Sequence, residues 1–155
     1  RVLFRSAKED VLAAFSDKLP YFNTFGGNPV SIAAAQAVLK YIKDENLQEH
    51  CKKAGAALLK ALKEVQERHP ESVGDVRGAG LFLGFEFVKN DGNKTPDKDM
   101  ALNVIEMLRD EHILTSVIGH YGNILKLRPP MVFSENDIDW FATSLDKCIT
   151  KLENK

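Results

Sequence analysis

The chain has 155 residues, 44% of them hydrophobic and 28% charged, enough for one domain with a sizeable core. Lys and Arg total 21 against 22 Asp and Glu, a formal net charge of −1, which argues against a dedicated nucleic-acid binder. No apolar run approaches the roughly 18 residues that a membrane span needs, so neither nucleic acid nor membrane is an expected partner.

Ala7 to about Lys18 has the spacing of a short amphipathic helix, with Val11, Leu12 and Phe15 on one side and Ser6 placed to cap it. Leu19 to Asn28 is irregular, broken by Pro20, two glycines and two asparagines. Pro29 suits the first position of a helix behind Asn28 as cap. Val30, Ala33, Ala34, Ala37, Val38, Tyr41 and Ile42 then recur at helical spacing to about Glu45. A third helix starts near Leu47, with Leu47, Cys51, Ala54, Leu58, Ala61 and Val65 on one stripe, and ends before Pro70.

Gly74 to Gly80 holds three glycines around Val76 and Arg77. LFLGFEFVK alternates after it, with Leu81, Leu83, Phe85 and Phe87 facing one way as a strand. Asn90 to Pro96 reads as a polar turn region, and Asp97 to about Glu111 as a helix with Ala101, Val104, Ile105 and Leu108 inside. Ile113 to Val117 and Ile124 to Leu127 read as short strands around a turn at Gly119 to Asn123. Ser134 caps a last helix, with Asp137 at its third position and Ile138, Phe141, Leu145, Ile149 and Leu152 on its face. This order predicts an α+β domain: a small, mostly antiparallel sheet with helices on one face.

Few side chains outside the loops invite chemistry. Cys51 and Cys148 lie on apolar helix faces and read as buried, reduced thiols, which suits a reducing compartment. The four histidines, His50, His69, His112 and His120, have no metal-ligand spacing. Arg77 reads as a surface cation near a turn, and Trp140 as packed at the edge of the last helix. The stretch TFGGNP is different. Gly26 and Gly27 let the backbone approach a ligand or adopt positive φ, Thr24 offers a hydroxyl, and Asn28-Pro29 starts a helix whose free N–H groups favour an anion. Together they make a phosphate or carboxylate cradle, although a tight turn before a capped helix accounts for the same residues.

Three stretches occur in order over most of the chain: FNTFGGNPVS, GDVRGAGLFLGFEFVK and NILKLRPPMVFSENDID. Together they resemble the C-terminal part of class III aminotransferases, which use pyridoxal 5′-phosphate. The branch most resembled is the alanine–glyoxylate aminotransferase-like one, which includes phospho-lyases acting on ethanolamine phosphate and phosphohydroxylysine. The resemblance covers roughly Tyr21 to Leu152. It implies the C-terminal small domain of a fold-type I enzyme. Residues 7–73 would close the large domain and link it to a small domain at 74–155.

The resemblance also implies roles. Thr24, with Phe25 and Gly26, would bind cofactor phosphate across a dimer interface, so a homodimer is expected. Relatives of the ornithine type hold the substrate carboxylate with an Arg three places before the Pro pair. That position is Lys126 here, and Arg128 follows two residues later, on the same face of a strand. Either cation, or both, would hold the anionic end of an amine or amino-acid substrate. The lysine that binds the cofactor as a Schiff base, and its acidic partner, would lie upstream of TFGGNP, so no catalytic residue is assigned within this chain. Transamination and phosphate elimination both stay open, as do cytoplasm and mitochondrion. Residues 1–6, RVLFRS, are what a common sequencing adaptor would encode, and the family pattern begins only after them, so they are expected to be non-native. A free-standing α+β module that binds anions or partners without chemistry is the rival expectation.

Overall fold

The computed structural model of the chain describes residues 8–18, 20 and 22–154. The proposed cap Ser6 and residues 1–6 lie outside them. The chain divides into two compact units, residues 1–46 and 47–155.

The first unit contains two helices, α1 (Glu9–Ser16) and α2 (Pro29–Asp44). Asn28 caps α2 as expected, its side-chain oxygen accepting from the N–H groups of Val30 and Ser31. The apolar stripes expected to be covered are not: neither helix has a buried residue. Phe22 and Phe25 are almost fully exposed.

The second unit holds the core. Its elements are α3 (Leu47–Arg68), β1 (Val73–Ala79), β2 (Phe82–Phe87), α4 (Lys98–Asp110), β3 (Ser116–Ile118), β4 (Ile124–Leu127) and α5 (Glu135–Glu153). The sheet order is β1-β2-β4-β3, and every pairing is antiparallel. Leu83, Phe85 and Phe87 of β2 point to one face with Leu125 and Leu127 of β4. There they meet Leu58, Leu62 and Val65 of α3, Ala101, Val104 and Leu108 of α4, and Ile138, Leu145 and Ile149 of α5. The rings of Phe85 and Phe87 pack edge to face, 5.3 Å between centroids. Ser134 and Asp137 close a reciprocal capping box at the start of α5.

Two elements differ from the sequence reading. The glycine-rich lead-in is itself a strand, β1, with a register shift between Val73 and Asp75. That shift turns both Val73 and Val76 inward although they are three residues apart, which hides the two-residue period. The strand expected from Ile113 begins only at Ser116. Leu114 is strongly exposed, and Ile113 leaves α4 by returning its N–H to the Leu108 carbonyl.

A close approach joins α3 to the β1–β2 hairpin. Gly80 takes positive φ (54°) at the first place of the two-residue turn Gly80-Leu81. A Cβ on Gly55 of α3 would lie 2.2 Å from the Gly80 carbonyl oxygen, so the helix can seat there only without one. Among the described residues no helix is long and apolar enough to cross a membrane.

Candidate functional site

The first unit carries the TFGGNP turn, residues 24–27 leading into α2. Asn23 organises it: its side-chain oxygen accepts from the N–H of Phe25 and of Gly26, each at 3.1 Å. Gly27 has φ 78°, which explains glycine there. The expected free N–H groups at the helix start are not free, because Asn28 occupies those of Val30 and Ser31. What the turn offers an anion is the exposed Thr24 hydroxyl, which bonds to none of the described residues. No acidic residue occurs between Asp17 and Asp44 in the sequence to repel an anion. A hydroxyl donor in acid-free surroundings suits the phosphate of pyridoxal phosphate.

The second unit carries Lys126 and Arg128. Lys126 lies on β4 between the buried Leu125 and Leu127, so its side chain leaves the sheet on the face opposite the helices. Arg128 follows the strand's last residue and is exposed, while Lys126 is half-buried. Neither has a carboxylate partner among the described residues. Both line one cavity of about 560 Å³, together with His112, Leu58, Phe133 and Trp140. Trp140, expected to pack at the edge of α5, is instead half exposed at this cavity.

Arg77 is more than a lone surface cation. Its guanidinium donates to Asp75 and to Glu86, at 2.5 and 2.6 Å. Those hydrogen bonds, that to Glu86 foremost, hold its pKa above the ordinary arginine value. Glu86 also accepts from buried Asn123, whose amide donates to the Phe87 carbonyl at 2.8 Å.

A second polar cluster gave no signal in the sequence. His69, 6% exposed, sits between carboxylates of α5: Nδ1 is 2.7 Å from Glu153 and Nε2 is 3.1 Å from Asp146. Arg68 donates to the same Asp146 oxygen and Ser72 donates to Glu153. Burial pushes the Asp146 carboxyl up, but the hydrogen bonds from Arg68 and His69 outweigh it and hold it below the usual range. Asp146 and Glu153 lie more than 75 residues from His69 in sequence, so no local pattern announces the cluster. Among the described residues no group of His, Cys, Asp and Glu is arranged to hold a metal. Cys148 is buried, which raises its thiol pKa, but Cys51 is only half-buried, with Sγ facing the Met131 carbonyl.

Fold, turn and cationic strand end together define a piece of a vitamin B6-dependent enzyme. The class III aminotransferase family matches residues 5–149, and the chain belongs to that family. It is 42% identical over 146 residues to the ethanolamine-phosphate phospho-lyase homolog 1 of Caenorhabditis elegans, covering 94% of this chain and 31% of that protein. It is 37% identical over 141 residues to the mitochondrial alanine–glyoxylate aminotransferase 2 homolog 2 of Arabidopsis thaliana, covering 91% of this chain and 29% of that one. Among solved structures, a phospholyase from Arthrobacter in complex with phosphoethanolamine superposes with a TM-score of 0.85 at 36% identity. That match covers 92% of this chain and 33% of the other. The chain thus spans about a third of the length of these relatives.

Proposed function

We propose that this chain is the C-terminal part of a pyridoxal-phosphate-dependent transaminase or phospho-lyase. In this reading residues 74–155 belong to its small domain, and the cofactor-attaching lysine lies outside the chain. Thr24, in the turn with Phe25 and Gly26, holds the cofactor phosphate of the neighbouring subunit in a homodimer. Lys126, with Arg128, holds the anionic end of an amine or amino-acid substrate. When bound, the cofactor supplies a ring that withdraws electrons from the reacting carbon of the substrate.

This chain's residues bind and orient. The Thr24 hydroxyl donates to a phosphate oxygen. Lys126 is a point charge without a counter-ion, and Arg128 a planar fork; side by side they suit a phosphate or a carboxylate. The apolar walls of the cavity weaken competition from water there. One observation carries the reading: two adjacent cations, both without a carboxylate partner, line a single cavity.

The test uses the complete enzyme that contains this chain. Release of inorganic phosphate from phosphoethanolamine marks the phospho-lyase, and keto product with an amino acceptor marks the transaminase. Lys126→Ala is expected to raise KM for the anionic substrate by roughly tenfold, the loss of about one charged hydrogen bond. An unchanged KM in both Lys126→Ala and Arg128→Ala would remove the substrate role.

A further inference from the structure

Gly84 is a glycine that the fold does not require. Its φ is outside the positive region, and a Cβ built there would meet only Ile124 Cγ2, at 3.3 Å, the end of a side chain that can give way. The other glycines of these strands differ. At Gly74 a Cβ would run into Val88 at 2.6 Å, and at Gly78 into the Phe82 carbonyl oxygen at 2.2 Å. Glycine inside a strand weakens it, and ordinarily marks a bulge, a bend or the close approach of a ligand or another backbone. The register shift of β1 lies at Val73 and Asp75, and Gly84 pairs regularly with Arg77 on one side and Lys126 on the other. A close approach to the outer face of the sheet is the explanation left.

The register says what approaches. Arg77, Gly84, Lys126 and Ser116 form one row across all four strands. Gly84 is therefore a gap between two cations. Arg77 is neutralised by Asp75 and Glu86, and Glu86, the acid two residues along the same face, is neutralised in turn. Lys126 has no carboxylate partner among the described residues. The charge left over beside the gap is positive. A half-buried cation without a counter-ion, next to a missing side chain, suits a small anion.

We infer that Gly84 is a specificity-determining position: its missing side chain forms the floor of the anion site, where the anionic end of the substrate lies against the sheet beside Lys126. The inference rests on the proposed role of Lys126. Gly84 acts by clearance, so a side chain there excludes the anion without removing any charge.

The experiment follows backbone amide shifts of the 155-residue chain during titration with inorganic phosphate and, separately, with acetate, in wild type, Gly84→Ala, Gly84→Val and Lys126→Ala. Melting temperatures are measured in parallel. Perturbation of the Gly84, Lys126 and Ser116 amides is expected in wild type. Gly84→Ala should weaken the response roughly tenfold, the scale at which one methyl group discriminates in a tight site, and Gly84→Val should abolish it. The melting temperature of Gly84→Ala should be unchanged or raised. A response to phosphate alone, to acetate alone or to both supports the inference and says which anion the site takes. If Gly84→Ala and Gly84→Val bind as wild type does while Lys126→Ala loses binding, the role of Gly84 is overturned and that of Lys126 stands. If Lys126→Ala binds normally, the anion reading fails and the inference falls with it. A lowered melting temperature in Gly84→Ala would show that the fold itself needs the glycine, and would overturn the inference.

Discussion

His69 Nδ1 lies 2.7 Å from a Glu153 carboxylate oxygen, and this contact ties the residue that follows α3 to the last residue of α5. The same ring reaches Asp146 through Nε2. One imidazole thus holds two turns of α5 to the start of the β1 lead-in, where the Ser72 and Val73 N–H groups both bond to the His69 carbonyl. Replacing it strands two carboxylates that are each less than a third exposed, or nearly so. His69→Ala is expected to destabilise the chain by about 2 kcal/mol, read from the urea midpoint at unchanged slope. A midpoint within error of wild type would reduce the cluster to a surface ornament.

Asp146 gives the cluster an acid dependence. Its folded pKa is depressed, so its stabilising contribution is complete above the unfolded value of about 3.9 and is lost as pH falls through the lower folded value. Thermal melts between pH 6 and the acid limit should therefore drop more steeply below about pH 4 in wild type than in Asp146→Asn. Parallel curves would show that Asp146 keeps an ordinary pKa on folding.

Gly55 reverses a familiar rule. Alanine in a helix interior is ordinarily better than glycine by about 1 kcal/mol. Here the added methyl would meet the Gly80 carbonyl oxygen, and backbone cannot swing aside as a side chain can. Gly55→Ala should destabilise by roughly 2–3 kcal/mol through forced separation of α3 from the hairpin. Calorimetry of the variant decides the sign.

Thr24 is tested by shape-matched replacement. Thr24→Val removes the hydroxyl and keeps the volume, whereas Thr24→Ser keeps the hydroxyl. In the complete enzyme the first should weaken cofactor affinity by roughly tenfold or more and the second by only a small factor, as measured by cofactor titration. Equal affinities would mean that the hydroxyl does not touch the phosphate.

Much of the fold could be read from the sequence where periods are local. Leu83, Phe85 and Phe87 alternate cleanly, and β2 was legible for that reason. Asn28, Asp97 and Ser134 each cap a helix with their side chain, so those starts were marked by single residues. β1 was not legible, because its bulge spaces Val73 and Val76 by three and its outer positions are Asp75, Arg77 and glycines. Of the candidate site, Lys126 and Arg128 stood out by their place before the Pro pair. The row that puts Gly84 beside Lys126 depends on pairing between strands about forty residues apart in the chain, and the His69 cluster on a still longer separation. Apolar spacing on α2 announced a helix but not a buried one: periodicity reports which face is apolar, not what covers it.

The contrast between α2 and α3 reaches into the time domain. Both are regular helices, yet α3 anchors six buried residues and α2 none. A 16-residue helix with no tertiary anchorage is marginal in water, so its amide protons exchange with solvent through brief local fraying. The amides of α3 around Leu58, Leu62 and Val65 are freed only when the whole core opens. In deuterated buffer the two helices, adjacent in sequence and alike in shape, should therefore exchange on separate clocks, the first set by fraying and the second by global stability.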